Sequence, residues 1–355
     1  MGRRGEIRTP LFRFGYNARM PHVLKIGDVT LPGRVLTAPM TGVSDLPFRR
    51  TASRLGACYV ATEMVACESF ANGRPDAVRR AAVGEGLPLM VVQLVGRDAN
   101  WIARGARLAA DSGADIIDLN MGCPAKEVTG ALCGSALMRD LDLAERLIAA
   151  ALEASPRPVT LKMRLGWDDA NRNAPELAAR AERIGIRAIT VHARTRAQFY
   201  NGAAVWRAVA EVKSAIRIPL IVNGDILDAH SARAALLQSG ADAVMIGRGT
   251  YGRPWVAAAL DRALETGQPV QEPDLEQRLA IALEHLSDTL SFYGDSRGLK
   301  IFRKHLGWYM EAASVPFCRE ERRAVRSRLC SLTRANEVES ALRDLWTGDA
   351  MKRAA

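Results

Sequence analysis

The sequence predicts an α/β chain folded as a (β/α)8 TIM barrel followed by a small C-terminal all-helical domain. Three observations carry that expectation. Eight short apolar runs recur between residues 35 and 246, most of them rich in Val, Ile and Leu without polar alternation, which is how strands buried on both faces read. Amphipathic stretches with helical spacing separate most of them. After Trp255 the strand pattern stops, and only helix-like stretches follow.

The elements follow in order. Residues 1–21 are Arg-rich without an apolar core, so they read as a basic, disordered extension rather than a secretory signal. The strand candidates are Val35–Met40, Tyr59–Met64, Leu89–Val95, Asp115–Met121, Val159–Met163, Ala188–His192, Ile218–Val222 and Ala243–Ile246. Helical patterns fill Asn100–Ser112, Leu141–Ala154, Ala174–Gly185 and Ala229–Gly240, and Gly113, Gly185 and Gly240 stand where helices stop. A doubly wound sheet is the competing architecture, but it calls for a GxGxxG after the first strand, and none is there. The barrel is placed at 22–265. Residues 267–273 read as a linker, and the helical domain at 266–350 holds Leu275–Tyr293, Gly298–Met310, Arg319–Leu332 and Asn336–Trp346.

Composition narrows the class. The chain has 355 residues, 48% of them hydrophobic and 25% charged, as in an ordinary globular protein. No apolar stretch approaches the ~18 residues of a membrane span. Six cysteines with no CxxC spacing suggest neither a zinc site nor a disulfide scaffold, so a reduced, cytoplasmic setting without bound metal is expected. A formal charge of +10 favours a polyanionic partner, nucleic acid first, with an Arg-rich proteome as the bland alternative. In the helical domain Arg319, Arg322, Arg323, Arg326 and Arg328 are either a polyanion contact or a solvated face.

In a barrel the chemistry sits at the C-terminal ends of the strands. Those ends carry Pro39-Met40-Thr41, Gln93, Asn120 and Cys123, Lys162 and Arg164, His192 and Arg194, Asn223-Gly224-Asp225, and Gly247-Arg248-Gly249. The last two groups read together as a phosphate site, since glycines admit an anion to backbone N–H groups and Arg248 adds charge. Lys162 is costly to bury without an anionic partner, and a flavin ring that gains negative charge on reduction would be one. Gln93 and His192 can hydrogen-bond its edge. Taken singly, His192 also reads as a core histidine and Lys162 as a structural ion pair. Cys123, on the stiffened turn Gly122-Cys123-Pro124, reads as a structural thiol, a nucleophile or a general acid.

These motifs resemble those of the tRNA-dihydrouridine synthase family, bacterial B-type subgroup, from about Leu24 to Trp346. The segments are Ala38–Arg49, Asn120–Lys126, Leu161–Trp167, Thr190–Arg196, Asn223–Ile226, Met245–Gly249 and Arg303–Tyr309. The resemblance implies FMN held by Pro39, Met40, Thr41, Gln93, Lys162, His192, Asn223, Gly224, Asp225, Gly247 and Arg248, with NADPH as reductant. It implies Cys123 as the proton donor and Asn120 as the group that orients the uracil. A tRNA partner is implied, with Lys162, Arg164, Arg194, Arg196, Arg303 and Lys304 on the substrate side. The expected enzyme is a monomer with no obligate protein partner, reducing uridines in the D-loop region. A small-molecule flavin dehydrogenase and a catalytically retired RNA-binding barrel are the alternatives.

Overall fold

Hydrogen bonds pass from strand to parallel strand around a closed ring in the computed structural model of the chain, which describes residues 22–84, 87–313 and 318–346. A short antiparallel hairpin precedes the ring: β1 Leu24–Ile26 and β2 Val29–Leu31, with Gly27 (φ +63°) at the first of two loop positions, where a two-residue hairpin most readily takes glycine. The ring itself comprises β3 Val35–Thr37, β4 Val65–Ala66, β5 Val91–Val95, β6 Ile116–Met121, β7 Val159–Arg164, β8 Ile189–His192, β9 Leu220–Asn223 and β10 Ala243–Ile246. Its order is β3-β10-β9-β8-β7-β6-β5-β4.

Closure between β3 and β5 runs through the second stave, which is broken. Val60 bridges Thr37 and Ala61 bridges Val91, and the stave reappears only at β4, paired with the far end of β5. The sequence expectation of a continuous strand over Tyr59–Met64 is therefore corrected. Thr62 spends its hydroxyl on the Glu63 carbonyl, and Glu63 turns its carboxylate to the backbone N–H of Gly42. Thr62 still donates its N–H to the Val91 carbonyl, but its hydroxyl replaces a ladder carbonyl in accepting from the Gln93 N–H, and beyond it the chain leaves the ladder. The other strands fall within one or two residues of the expected runs, except that β3 ends three residues before Met40.

The hairpin was not expected. Leu24, Ile26 and Leu31 join Leu36, Tyr59, Ala61, Val91, Ile116, Ile221 and Met245 in one apolar cluster, so the hairpin closes the N-terminal end of the barrel interior. The larger cluster lies between the ring and its outer helices, with Ala106, Ala109, Leu147, Ala151, Leu177, Ala181 and Ala235 inside it. Gly185 (φ +119°) and Gly240 (φ +64°) do end their helices in left-handed caps.

Beyond the helix Val256–Thr266, four helices, Leu275–Tyr293, Asp295–Ala312, Arg319–Ser331 and Ala335–Trp346, gather a separate core around Leu286, Phe302, Leu306, Met310 and Leu342. The second helix begins three residues earlier than the sequence pattern suggested. The basic extension at 1–21 and residues 347–350 lie outside the described residues. Two seams fix this bundle to the barrel. Phe48, in the helix Leu46–Arg54, faces His285 and His305, whose rings lie 4.6 Å apart. Tyr251 stacks on Trp308 at 3.9 Å, and Gly252 (φ +67°) lies against the backbone of that same turn.

Two outcomes are expected. A Cβ at position 252 would lie 2.1 Å from the Trp308 carbonyl oxygen and would be held at a positive φ. Gly252→Ala should lower unfolding stability by about 2–3 kcal/mol in denaturant titration. Burial pushes the His285 imidazole down to about 3 and holds His305 well below its usual range. Both are thus neutral when folded but charge at ~6.5 when unfolded, so their contribution is complete above that pH and is lost as the pH falls toward 3. The carboxyls of Asp45 and Asp261, raised to about 6 by burial, act in the opposite sense. A difference between variants removes them: from pH 6.5 to 5, the stability of His305→Phe should gain on wild type by ~1.4 kcal/mol per pH unit.

Candidate active site

All the strand-end residues singled out from the sequence lie at one rim of the ring, because parallel strands share one direction. They form two connected groups. The first runs along the β5, β6 and β7 ends. Asp118 and Asn120, two apart on β6, point to the same side. The Asp118 carboxylate accepts from Thr160 Oγ1 at 2.7 Å and from Gln93 Nε2 at 2.6 Å. Gln93 Oε1 accepts from Asn120 Nδ2 at 2.8 Å, and Asn120 Oδ1 accepts from the backbone N–H of Gly122 at 3.1 Å and of Cys123 at 2.9 Å. The Cys123 carbonyl in turn takes Ser135 Oγ at 2.8 Å, which pins the far side of the loop. The thiol is half-buried, and burial raises it above its ordinary value.

Lys162 pairs with Asn120 across β6 and β7 and donates to Asn223 Oδ1 at 3.2 Å. Asn223 is held in turn by donating to the Met245 carbonyl at 2.7 Å. Burial pushes the Lys162 ammonium down to about 8, with the Asp118 charge opposing. Among the described residues that single bond is its only polar partner, so two N–H groups stay open toward the mouth.

The second group lies at the ends of β8, β9 and β10. Asp225, with φ +53° in a turn opened by Gly224 (φ +117°), pairs with Arg194 Nη2 at 2.5 Å and Arg248 Nη2 at 2.9 Å. Burial raises its carboxyl, but the hydrogen bond from Arg194, with Arg248 beyond, outweighs that and holds it below the usual carboxylate range. A Cβ at 224 would press on His192 at 3.0 Å, so glycine is required there. Burial, and then Arg164, Lys162, Arg194 and Arg248, hold the His192 imidazole neutral, well below its ordinary value. At Gly247 the nearest side-chain atoms to a Cβ position are Ala38 Cβ and Met40 Sδ, both 3.7 Å away. A side chain at 247 would therefore lie in ordinary contact with the loop carrying half-buried Pro39 and Met40 and exposed Thr41, with exposed Arg248 the next residue.

The remaining predicted residues divide. Arg164 and Arg194 are each 1% exposed. Arg164 donates to the carbonyls of Gly122 (2.8 Å), Thr195 (2.8 Å) and Phe199 (2.9 Å), and Arg194 to those of Asn201 (3.2 Å) and Gly202 (2.6 Å). Both are internal struts, so a tRNA-phosphate contact at either is withdrawn: their donors are directed at the protein's own backbone. Arg196 lies over the Trp167 ring, which Arg139 also faces, and reaches Thr129 Oγ1 at 3.4 Å. Lys304 reaches toward Gly42 at the rim. Arg303 packs within the bundle, its carbonyl accepting from the Cys330 thiol.

The sequence reading missed Asp118, although a lone carboxylate inside the apolar run Ile116-Ile117-Asp118-Leu119 was a visible signal. It also missed Phe199 and Tyr200. This exposed, edge-to-face pair at 4.8 Å follows β8, with Tyr200 flanked by the guanidiniums of Arg164 and Arg248. Phe199 holds a left-handed φ of +53° that is rare for an aromatic residue, and the Arg164 bond to its carbonyl helps keep it there.

The dihydrouridine synthase family model matches residues 36–344. The chain belongs to the dihydrouridine synthase family. A probable tRNA-dihydrouridine synthase of Rhodobacter capsulatus is 51% identical over 303 residues, covering 85% of this chain and 93% of the relative. The tRNA-dihydrouridine synthase B of Pseudomonas aeruginosa is 44% identical over 301 residues, covering 84% and 90%. Among solved structures, a 6-hydroxypseudooxynicotine amine oxidase from Pseudomonas geniculata N1 matches with a TM-score of 0.55 at 13% identity, over 76% of this chain and 52% of that one, which shows a shared fold.

The dihydrouridine synthase site fits a flavin on its own terms. An enclosed ammonium with open N–H groups suits the polar edge of the ring, and the exposed Arg248 guanidinium suits an anionic group. A groove of about 610 Å³ at the opposite end of the barrel, between Gly27, Arg157 and Arg187, has no thiol, imidazole or amide side chain in its lining. Among the described residues, no cluster of three or more His, Cys, Asp or Glu could hold a metal ion, and no helix is long and apolar enough to cross a membrane.

Since burial raises the Cys123 thiol, its alkylation by iodoacetamide should reach half its limiting rate above the ordinary thiol value of ~8.5. A half-point at or below that value, read on the Cys123 peptide by mass spectrometry, would contradict the geometry.

Proposed function

We propose that this dihydrouridine synthase reduces the C5–C6 bond of uridines in the D-loop region of tRNA, with FMN as its flavin and NADPH as the source of electrons. The observation that carries the proposal is the pairing of a protonated thiol, Cys123, with the open ammonium of Lys162 at one mouth. When bound, the reduced flavin supplies the hydride that adds to uracil C6. Cys123 then gives its proton to C5, a task that suits a thiol kept protonated by burial. Lys162 stands ready to stabilise the enolate-like charge that develops on the uracil oxygens. Asn120, its amide fixed by Gln93, holds the turn that aims the thiol.

A uridine stacked in tRNA cannot reach this mouth, so it must be extruded. Phe199 and Tyr200 offer an exposed aromatic face at the rim where an unstacked base can lie, with Arg248 beside it for phosphate. Half-buried Arg196 and the rim-facing Lys304 extend the positive border. The bundle's exposed Arg319, Arg323 and Arg328 continue it, and we assign the helices beyond residue 266 to tRNA binding. Recognition by phosphates makes affinity fall steeply with salt.

The test uses tRNA lacking dihydrouridine, incubated with the purified yellow protein and NADPH, with product counted by nucleoside mass spectrometry. Wild type should form dihydrouridine, and Cys123→Ala should lower kcat by about 10²-fold or more, the usual scale for a lost general acid. A yellow protein that oxidises NADPH yet makes no dihydrouridine would instead indicate a small-molecule reductase.

A further inference from the structure

Asp118 is a fully interior carboxylate, 2% exposed, that no step above uses. Its surroundings fix more than its own position. Along one line the hydrogen bonds from the Cys123 turn inward all point the same way: backbone N–H of Cys123 to Asn120 Oδ1, Asn120 Nδ2 to Gln93 Oε1, Gln93 Nε2 to Asp118 Oδ2. An amide side chain can present either its oxygen or its NH2, and two amides in series have no intrinsic preferred direction. A carboxylate is acceptor-only, so it forces the NH2 of Gln93 toward itself. That leaves Gln93 Oε1 facing Asn120, which must answer with its own NH2. Asn120 Oδ1 then faces the N–H groups of Gly122 and Cys123, fixed donors that call for the same direction from the turn end.

We infer that Asp118 is a positioning residue whose acceptor-only carboxylate sets the direction of this relay and thereby holds the Cys123 turn at the barrel mouth. Thr160, donating to the other carboxylate oxygen, keeps Asp118 from rotating away. The role rests on Cys123 being the reactive thiol, but the turn can be read without catalysis. The amide introduced by Asp118→Asn can donate to Gln93. That orientation inverts the relay and sets an NH2 from Asn120 against two backbone N–H groups; the opposite orientation keeps the relay but turns the new NH2 onto the Thr160 hydroxyl that donates there, so in either orientation the relay loses a bond. Adding Asn120→Asp repairs the inverted relay, since the carboxylate introduced there accepts from Gln93 on one oxygen and from Gly122 and Cys123 on the other.

The experiment measures iodoacetamide labelling of the Cys123 peptide at pH 8 in full-length, flavin-loaded protein, with the Cys330 peptide as internal reference, beside thermal melting. Asp118→Asn should label Cys123 at least about fivefold faster than wild type, as the freed thiol escapes its burial, and the double variant should return to within about twofold. In melting, Asp118→Asn should destabilise the wild type but stabilise Asn120→Asp. If Asp118→Asn alone does not fold, Asn120→Asp against the double variant still decides the sign. Unchanged labelling in Asp118→Asn, or destabilisation in both backgrounds, overturns the relay. The expected labelling pattern in a wild type that forms no dihydrouridine would uphold the relay and refute the proton-donor assignment.

Discussion

A closed ring of parallel strands has one end where all chains emerge, and everything this protein does chemically depends on that constraint. The ladder fixes which residues are neighbours: Asn120 beside Lys162, Arg164 beside His192, His192 beside Asn223. The residues are distant in sequence but adjacent in register. Backbone hydrogen bonds, not side-chain contacts, therefore set the scale of the site, and the side chains refine it.

The mouth so assembled is strongly cationic. Lys162, Arg164, Arg194 and Arg248 converge on it against two carboxylates, Asp118 below and Asp225 beside. Burial, reinforced by that excess, keeps His192 neutral, and the Lys162 ammonium is left poorly partnered. Such a site is electrostatically incomplete by itself, and an anionic occupant would relieve repulsion among its own walls. Asp225 prevents the opposite failure, since without it Arg194 would be a buried cation with only neutral partners, two carbonyls and the His192 ring.

Much of this was legible in the sequence because strands buried on both faces leave unbroken apolar runs, and polar residues ending those runs must be at the mouth. Cys123, Lys162, His192, Asn223 and Arg248 all announced themselves that way. Three things did not. The second stave looked continuous because Thr62 and Glu63 read as strand residues, while the Thr62 hydroxyl takes the Gln93 N–H in place of a ladder carbonyl and the Glu63 carboxylate turns to Gly42. Arg164 and Arg194 were expected on the substrate side, since sequence gives charge without direction, and both turned inward to cap loop carbonyls. The Phe199–Tyr200 platform depends on a left-handed backbone at a non-glycine residue, which no spacing rule foretells.

The broken second stave has a mechanical consequence. A cylinder made of staves opens first along the joint with the fewest ties, and here that joint is held by bridges at Val60 and Ala61 before β4 resumes. Glu63 sits in the gap and clasps Gly42, and the neighbouring Asp45 is tethered by the Tyr293 hydroxyl of the helical bundle at 3.1 Å. The bundle therefore straps the barrel across its weakest joint. Force applied to the bundle by a bulky, folded ligand would reach, through Tyr293 and Asp45, the loop carrying Pro39, Met40 and Thr41.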